Sequence, residues 1–161
     1  FRLADSGSIL RTRSPKGYAM SLSLHTAAVP PLARALTQLR QILAKGAAHA
    51  EAQSWDPAVL LAMRLAPDMF PLTRQVQIAT DMAKNAVARL TGTQAPVFEE
   101  TRAITIPTRA YGDLHFIGTD YLFGYVLPNV HFHSTTAYAL LRHAGVPLGK
   151  ADYIGPSPAR D

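Results

Sequence analysis

Leucines recur at helical spacing in the first half of the chain, and this pattern constrains the fold more than any other feature. They fall at i, i+4, i+7 and i+11, which places them on one face of a helix. These residues are Leu32, Leu36, Leu39 and Leu43. Pro30-Pro31 must lie at the helix start or at a kink, because neither residue can donate a backbone hydrogen bond. The pattern predicts a helix with one face packed against a core.

Two further helices are predicted in the middle of the chain. Asp56-Pro57 resembles an N-cap followed by proline at the first helical position, and it opens a helix through Leu65. Pro67 breaks that helix. Residues 68–71 then begin a longer helix, which Gly92 ends.

A small hairpin is expected before the last helix. Residues 104–106 and 114–117 flank a turn at Gly112-Asp113, and two strands alone are marginally stable in water. Thr119 or Asp120 is expected to cap the helix that follows. The chain is therefore predicted to be all-α, with one hairpin between its helices.

The sequence of the last helix predicts a kink, an end point and the direction in which its aromatic residues face. Pro128 is expected to kink it near the middle, and Gly145 is expected to stop it. The aromatic residues Tyr121, Tyr125 and Phe132 are spaced four and seven apart, so we predict that all three face the core.

Composition excludes several classes of protein. Cysteine is absent from the 161 residues, which removes disulfides and thiolate metal sites and is compatible with the cytoplasmic location that we expect. No apolar run approaches the roughly 20 residues that span a bilayer. Residues 1–19 carry four basic residues against Asp5, or +3 of the total charge of +5. Because the rest of the chain shows no basic stripe, we expect neither a nucleic-acid nor a membrane partner.

The charge and turn pattern also divides the chain. Residues 1–19 lack a helical or strand period, so we predict a disordered tail, a tag or upstream sequence, with Met20 as the natural start. Residues 20–155 form the predicted bundle, and residues 156–161 form a C-terminal tail.

Half of the six histidines lie in the last predicted helix. His131 and His133 are about 200° apart around a helix axis, so they point to nearly opposite sides. His133 and His143 are roughly 15 Å apart along the axis. No two histidines of this helix are therefore expected to share a metal ion, and His133 is predicted to be a hydrogen-bonded interior residue.

Two long segments carry a resemblance to a known family. They are LAPDMFPLTRQVQIA at 65–79 and LPNVHFHSTTAYALLRHAGVPLGKADY at 127–153. Both resemble the domain-of-unknown-function family 1993, within the DinB/YfiT-like helical bundles. The resemblance implies an antiparallel up-down bundle, usually of four helices.

The resemblance also implies how a metal would be held. Many relatives bind a divalent metal through three histidines, two of them from a His-x-x-x-His pair on the last helix. This pattern places the later histidine on His133 and the earlier one on Asn129, and the third ligand falls within 71–75, where no histidine occurs. His133 is thus the only candidate ligand that carries over. We predict no cofactor, with a divalent metal as the alternative.

The family's third long helix is missing from this chain. In relatives it lies between the segment that matches 96–99 and the hairpin, but here only Glu100 and Thr101 separate that segment from Arg102. We expect either a deletion of this helix or a gap in the gene model. Since a bundle without one helix exposes apolar faces, we predict a homodimer or a poorly soluble chain.

A candidate site is expected where the two resembling segments meet inside the bundle. A buried Asp68–His133 contact would orient the imidazole as a general base. The predicted pocket comprises Asn129, Arg74, Gln75 and Tyr138. The same groups could instead form a polar network that fixes helix register. We therefore predict a ligand-binding or interaction module, with a divalent-metal-dependent hydrolase or thiol transferase using His133 as the alternative.

Overall fold

The protein is mostly helical. A computed structural model describes residues 22–91 and 100–156. The helices are α1 (Leu24–Ala52), α2 (Pro57–Ala62), α3 (Leu72–Thr91), α4 (Gly118–Asp120), α5 (Leu127–His143) and α6 (Lys150–Ile154), and the strands are β1 (Ala103–Thr108) and β2 (Gly112–Ile117). The predicted all-α fold with a hairpin before the last helix is confirmed. The expected boundary at residue 20 and most of the expected C-terminal tail lie outside the described residues.

The first two helices begin at side-chain caps. Ser23 Oγ accepts a hydrogen bond from the backbone N–H of Thr26 at 3.1 Å, so α1 begins before Pro30-Pro31, which lie inside the helix. The predicted Asp56 cap is confirmed, since its carboxylate accepts from the Ala58 N–H at 2.9 Å. The helix it opens ends at Ala62, three residues before the predicted end.

The last long helix is continuous but contains a wide turn. Residues Tyr121–Val126 form a π-helical segment between α4 and α5, in which the Leu127 N–H donates to the Leu122 carbonyl. This i→i+5 turn directly precedes Pro128, which has no N–H to donate. The predicted cap by Thr119 or Asp120 is wrong, because α4 begins after Ile117 without a side-chain cap.

The wide turn explains one wrong burial prediction. An extra residue in a turn rotates all later positions by about 100° relative to a regular helix. Tyr121 is fully buried and Tyr125 is half-buried, as the spacing predicts. Phe132, which follows the π-helical segment, is instead 56% exposed.

The hairpin is stabilised by packing on the helices. Its antiparallel strands pair Ala103 with Ile117 at one end and Thr108 with Gly112 at the other. Ile104 and Ile106 on one face of β1 are buried in the same apolar cluster as residues of α1 and α3. The helices thus supply the partner that a two-stranded sheet needs.

The three long helical stretches pack around two apolar clusters. One cluster joins the N-terminal part of α1, the C-terminal part of α3, the hairpin and the π-helical segment. The other joins the C-terminal part of α1, α2, the N-terminal part of α3 and the end of α5. This arrangement means that α3 runs antiparallel to α1 and α5, an up-down-up bundle, and α5 packs against both.

A few polar side chains are buried among the apolar residues of these helices. In the part of the chain that the structure describes, they are Gln38, Gln75, His133, Ser134 and Thr136. Three of the five belong to one stretch of α5. None of the described helices is long and apolar enough to cross a membrane.

Candidate functional site

His133 lies on the side of α5 that faces α3 and is 9% exposed. Its Nδ1 is 2.6 Å from Gln75 Oε1, and Gln75 Nε2 donates a hydrogen bond to the Phe70 carbonyl at 3.0 Å. A backbone carbonyl just before α3 is therefore linked through an amide to an imidazole on α5. We call these three groups the Phe70–Gln75–His133 relay.

The relay determines where the imidazole proton lies. Because the Phe70 carbonyl only accepts, the amide nitrogen of Gln75 must face it and the amide oxygen must face His133. His133 Nδ1 consequently carries the proton and donates, which leaves a lone pair on Nε2. Within residues 22–91 and 100–156, Nε2 has no hydrogen-bond partner.

The surroundings of His133 favour the neutral imidazole. Burial lowers the pKa of His133 from its usual value near 6.5, and the positive charge of Arg74 lowers this pKa further. Arg74 itself is exposed, donates to Gln77 Oε1 at 3.3 Å and lies over the Phe70 ring. A neutral imidazole that accepts at Nε2 is thus the form held at neutral pH.

The expected contact between Asp68 and His133 is corrected by the structure. Asp68 is exposed in the turn before α3, and His133 is bonded to Gln75 instead. The physical reason is that α3 begins at Leu72, so Asp68 lies outside the helix that packs on α5. Asp68 is therefore neither the cap of α3 nor the group that orients the imidazole.

The predicted pocket residues divide into two groups. Asn129 lies one turn before His133 and donates from Nδ2 to the Tyr125 carbonyl at 2.7 Å, so it belongs near the relay with Gln75 and Arg74. Tyr138 instead packs edge-on against Tyr153 of α6, with ring centroids 6.0 Å apart. The structure therefore does not bring Tyr138 to His133.

The donors near His133 do not fit the three-histidine metal site that the resemblance implies. The ligand positions hold one imidazole and the side-chain amides of Asn129 and Gln75, and amides are weak ligands for transition metals. The Gln75 oxygen already accepts from His133 at 2.6 Å. In addition, the charge of Arg74 acts against a cation here. The described residues also contain no group of three or more His, Asp or Glu arranged to hold a metal ion.

Sequence reasoning missed a second feature, a cleft on the side of α5 that faces α1. It has a volume of about 240 Å³ and lies between α1, α5 and α6, with Gln38, Ser134 and His131 among its lining residues. A signal for it was present in the sequence. Ser134 is a polar residue on the buried stripe formed by Val130, Ala137 and Leu141.

The fold, a helical bundle with a hairpin before the last helix, resembles the structure of a DinB family member. The family model described as Domain of unknown function (DUF1993) matches residues 24–108 and 98–154, and the chain belongs to this family. A DinB family member from Shewanella denitrificans, solved by crystallography, is similar to this chain. The two share 33% sequence identity with a TM-score of 0.73, over 86% of this chain and 95% of that one. No curated protein matches.

Proposed function

We propose that this protein is a ligand-binding member of its family that works without a bound metal, with His133 as the anchoring group. The observation that carries the proposal is the Phe70–Gln75–His133 relay, which fixes the proton on Nδ1 and directs the lone pair to Nε2. A neutral imidazole held in this way accepts a hydrogen bond from a ligand.

A second acceptor lies on the same face of α5. Asn129 Nδ2 is used by the Tyr125 carbonyl, so its Oδ1 is left to accept, one helical turn from His133. A groove of about 210 Å³ between α3 and the π-helical segment is lined by Arg74, Met82 and Tyr125. His133 and Asn129 are not among the residues that line this groove, so the two acceptors alone support a small molecule that donates hydrogen bonds to Nε2 and Oδ1.

The alternative is a divalent-metal-dependent hydrolase or thiol transferase that uses His133. The relay also supports this alternative, because metal-bound histidines commonly donate their other ring N–H to an oxygen acceptor. The poor donor set and the charge of Arg74 make it the second choice.

Metal analysis of gently purified protein distinguishes the metal-free ligand-binding function from the metal-dependent alternative. We expect no stoichiometric Zn, Ni or Mn, and no change in metal content between the wild type, His133→Ala and a control, His143→Ala, at the exposed end of α5. Stoichiometric metal that is lost in His133→Ala and retained in His143→Ala would contradict the proposal and establish the metal-dependent alternative.

Self-association is part of the same proposal. Phe70 and Phe132 are each more than half exposed, and only Glu100 and Thr101 lie where the resemblance implies a further long helix. Because large exposed apolar side chains favour association, we expect a homodimer by light scattering. A monodisperse monomer would contradict this expectation.

A further inference from the structure

The cleft between α1, α5 and α6 is separate from the groups around His133. Ser134 follows His133 directly, and adjacent residues of a helix point about 100° apart. His133 therefore faces Gln75 of α3, whereas Ser134 lines the cleft beside α1. A molecule in the cleft would not contact the Phe70–Gln75–His133 relay.

The walls of the cleft are mainly apolar. Leu39, Ile42 and Ala35 of α1 form one side, and Ile154 of α6 contributes to the other. A dry apolar cavity of about 150 Å³ is already large enough to bind benzene, and this cleft has a volume of about 240 Å³. The volume of the cleft and its mainly apolar lining therefore suit a compact apolar molecule.

Two buried polar side chains in this lining lack partners. Gln38 is 6% exposed and Ser134 is 3% exposed. Gln38 Oε1 and Ser134 Oγ have no hydrogen-bond partner among the described residues. Buried polar groups in native proteins are nearly always hydrogen-bonded, so two unsatisfied groups lining one cleft indicate an occupant that bonds to them.

From these observations we infer that the cleft is a binding site for a small, uncharged, largely apolar molecule that carries a hydroxyl group. A hydroxyl is both a donor and an acceptor, so it can donate to Gln38 Oε1 or accept from Ser134 Oγ–H. No carboxylate lines the cleft to balance an ammonium group. Arg34 also lines the cleft, but its guanidinium is bonded to the Ile154 and Pro156 carbonyls, so the lining atoms that lack a partner belong to the neutral side chains of Gln38 and Ser134.

The short helix α6 covers the cleft through polar contacts at its surface. Arg34 donates to the Ile154 and Pro156 carbonyls, and Lys45 Nζ is 2.6 Å from Asp152 Oδ1. Thr135 Oγ1 donates to the Tyr153 hydroxyl at 3.0 Å. Exposed contacts of this kind contribute little stability each, so α6 can open to admit a ligand.

The test uses four molecules of one shape: benzyl alcohol, toluene, benzylamine and benzoate. Titrations followed by amide NMR should show benzyl alcohol binding about tenfold more tightly than toluene, the worth of its hydrogen bonds. Benzylamine and benzoate should bind more weakly than benzyl alcohol. The shifted amides should belong to α1, α6 and the Ser134 turn of α5.

Two variants make the test specific. Ser134→Ala should keep toluene binding and reduce the preference for benzyl alcohol to about twofold or less. Thr136→Val is the matched control, because it removes a buried hydroxyl that already donates to the Phe132 carbonyl at 2.8 Å and does not line the cleft. The alcohol preference should survive in this control.

Several outcomes would overturn the inference. They are no binding at millimolar ligand, equal binding of benzyl alcohol and toluene, or amide shifts confined to the groove beside Arg74. Binding should be unchanged in His133→Ala. The proposed function at His133 and the inference about the cleft can therefore fail independently.

Discussion

Two adjacent buried polar residues of α5, His133 and Ser134, differ in whether their side chains are hydrogen-bonded. On the side facing α3, His133 donates to Gln75, and Gln75 in turn donates to a backbone carbonyl. On the side facing α1, the Ser134 hydroxyl and the Gln38 amide oxygen have no partners in the described part of the chain. On α5, a residue with a hydrogen-bonded side chain, His133, is thus followed directly by one whose hydroxyl lacks a partner in the described residues, Ser134.

Hydrogen-bonded and unbonded pairs of buried polar side chains affect the stability of the protein differently. A satisfied pair fixes the register of two helices and the protonation state of the imidazole, and it costs stability when it is broken. An unsatisfied pair already costs stability, and a ligand can recover that cost by binding. Substitutions on the two sides should therefore have opposite consequences for the folded state.

The largest effect is expected from Gln75→Leu. This change leaves the buried Nδ1–H of His133 without an acceptor, which should reduce the free energy of unfolding by about 1–3 kcal/mol. Urea denaturation followed by circular dichroism measures this quantity.

Two further variants sharpen the result. Gln41→Leu, at an exposed position of α1, should change stability by no more than about 0.5 kcal/mol. Combining Gln75→Leu with His133→Phe should recover part of the loss, because replacing both partners by apolar groups can be nearly neutral. A single Gln75→Leu variant as stable as the wild type would show that the relay does not hold α3 to α5.

A smaller change in the free energy of unfolding is expected when the pH is lowered. Because the pKa of His133 is lowered in the folded protein, the unfolded chain takes up its proton at a higher pH. The stability contribution of the neutral imidazole should be complete above about pH 6.5. It should be lost as the pH falls through the folded-state pKa, with a slope of at most about 1.4 kcal/mol per pH unit for one proton.

The variant His133→Asn isolates this term, since the asparagine amide can still donate to Gln75 but does not titrate. The difference in free energy of unfolding between wild type and variant should change with pH below 6.5 and stay constant above it. A His133→Asn difference that is flat across the range would mean that the imidazole has the same pKa in both states.

Much of the fold could be predicted from local patterns. The leucine spacing placed α1, Asp56-Pro57 placed the start of α2, and Gly145, with φ of 89°, followed the end of α5. These signals depend on residues close together in the chain. The π-helical segment was not predicted, because a regular period was assumed across Pro128, and the exposure of Phe132 was consequently missed.

The site could be predicted only in part for a related reason. His133 and Gln75 were both named from the sequence, since they lie in the two segments that resemble the family. Asp68 was wrongly assigned to His133 because α3 begins four residues later than expected. The cleft depends on how α6 folds back on α1, and no local pattern of residues specifies that contact.

The smallest effect is expected from Ser134→Ala, measured without added ligand. Removing a buried hydroxyl that has no partner in the described residues should leave the free energy of unfolding unchanged or raise it slightly, within about 0.5 kcal/mol. Thr136→Val on the same helix breaks a hydrogen bond to the Phe132 carbonyl and should cost about 0.5–1.5 kcal/mol. If Ser134→Ala were the more destabilising of the two, the hydroxyl would have a partner in the folded protein. In that case the two sides of α5 would be alike, and the cleft would lose half of the polar pair that makes it a binding site.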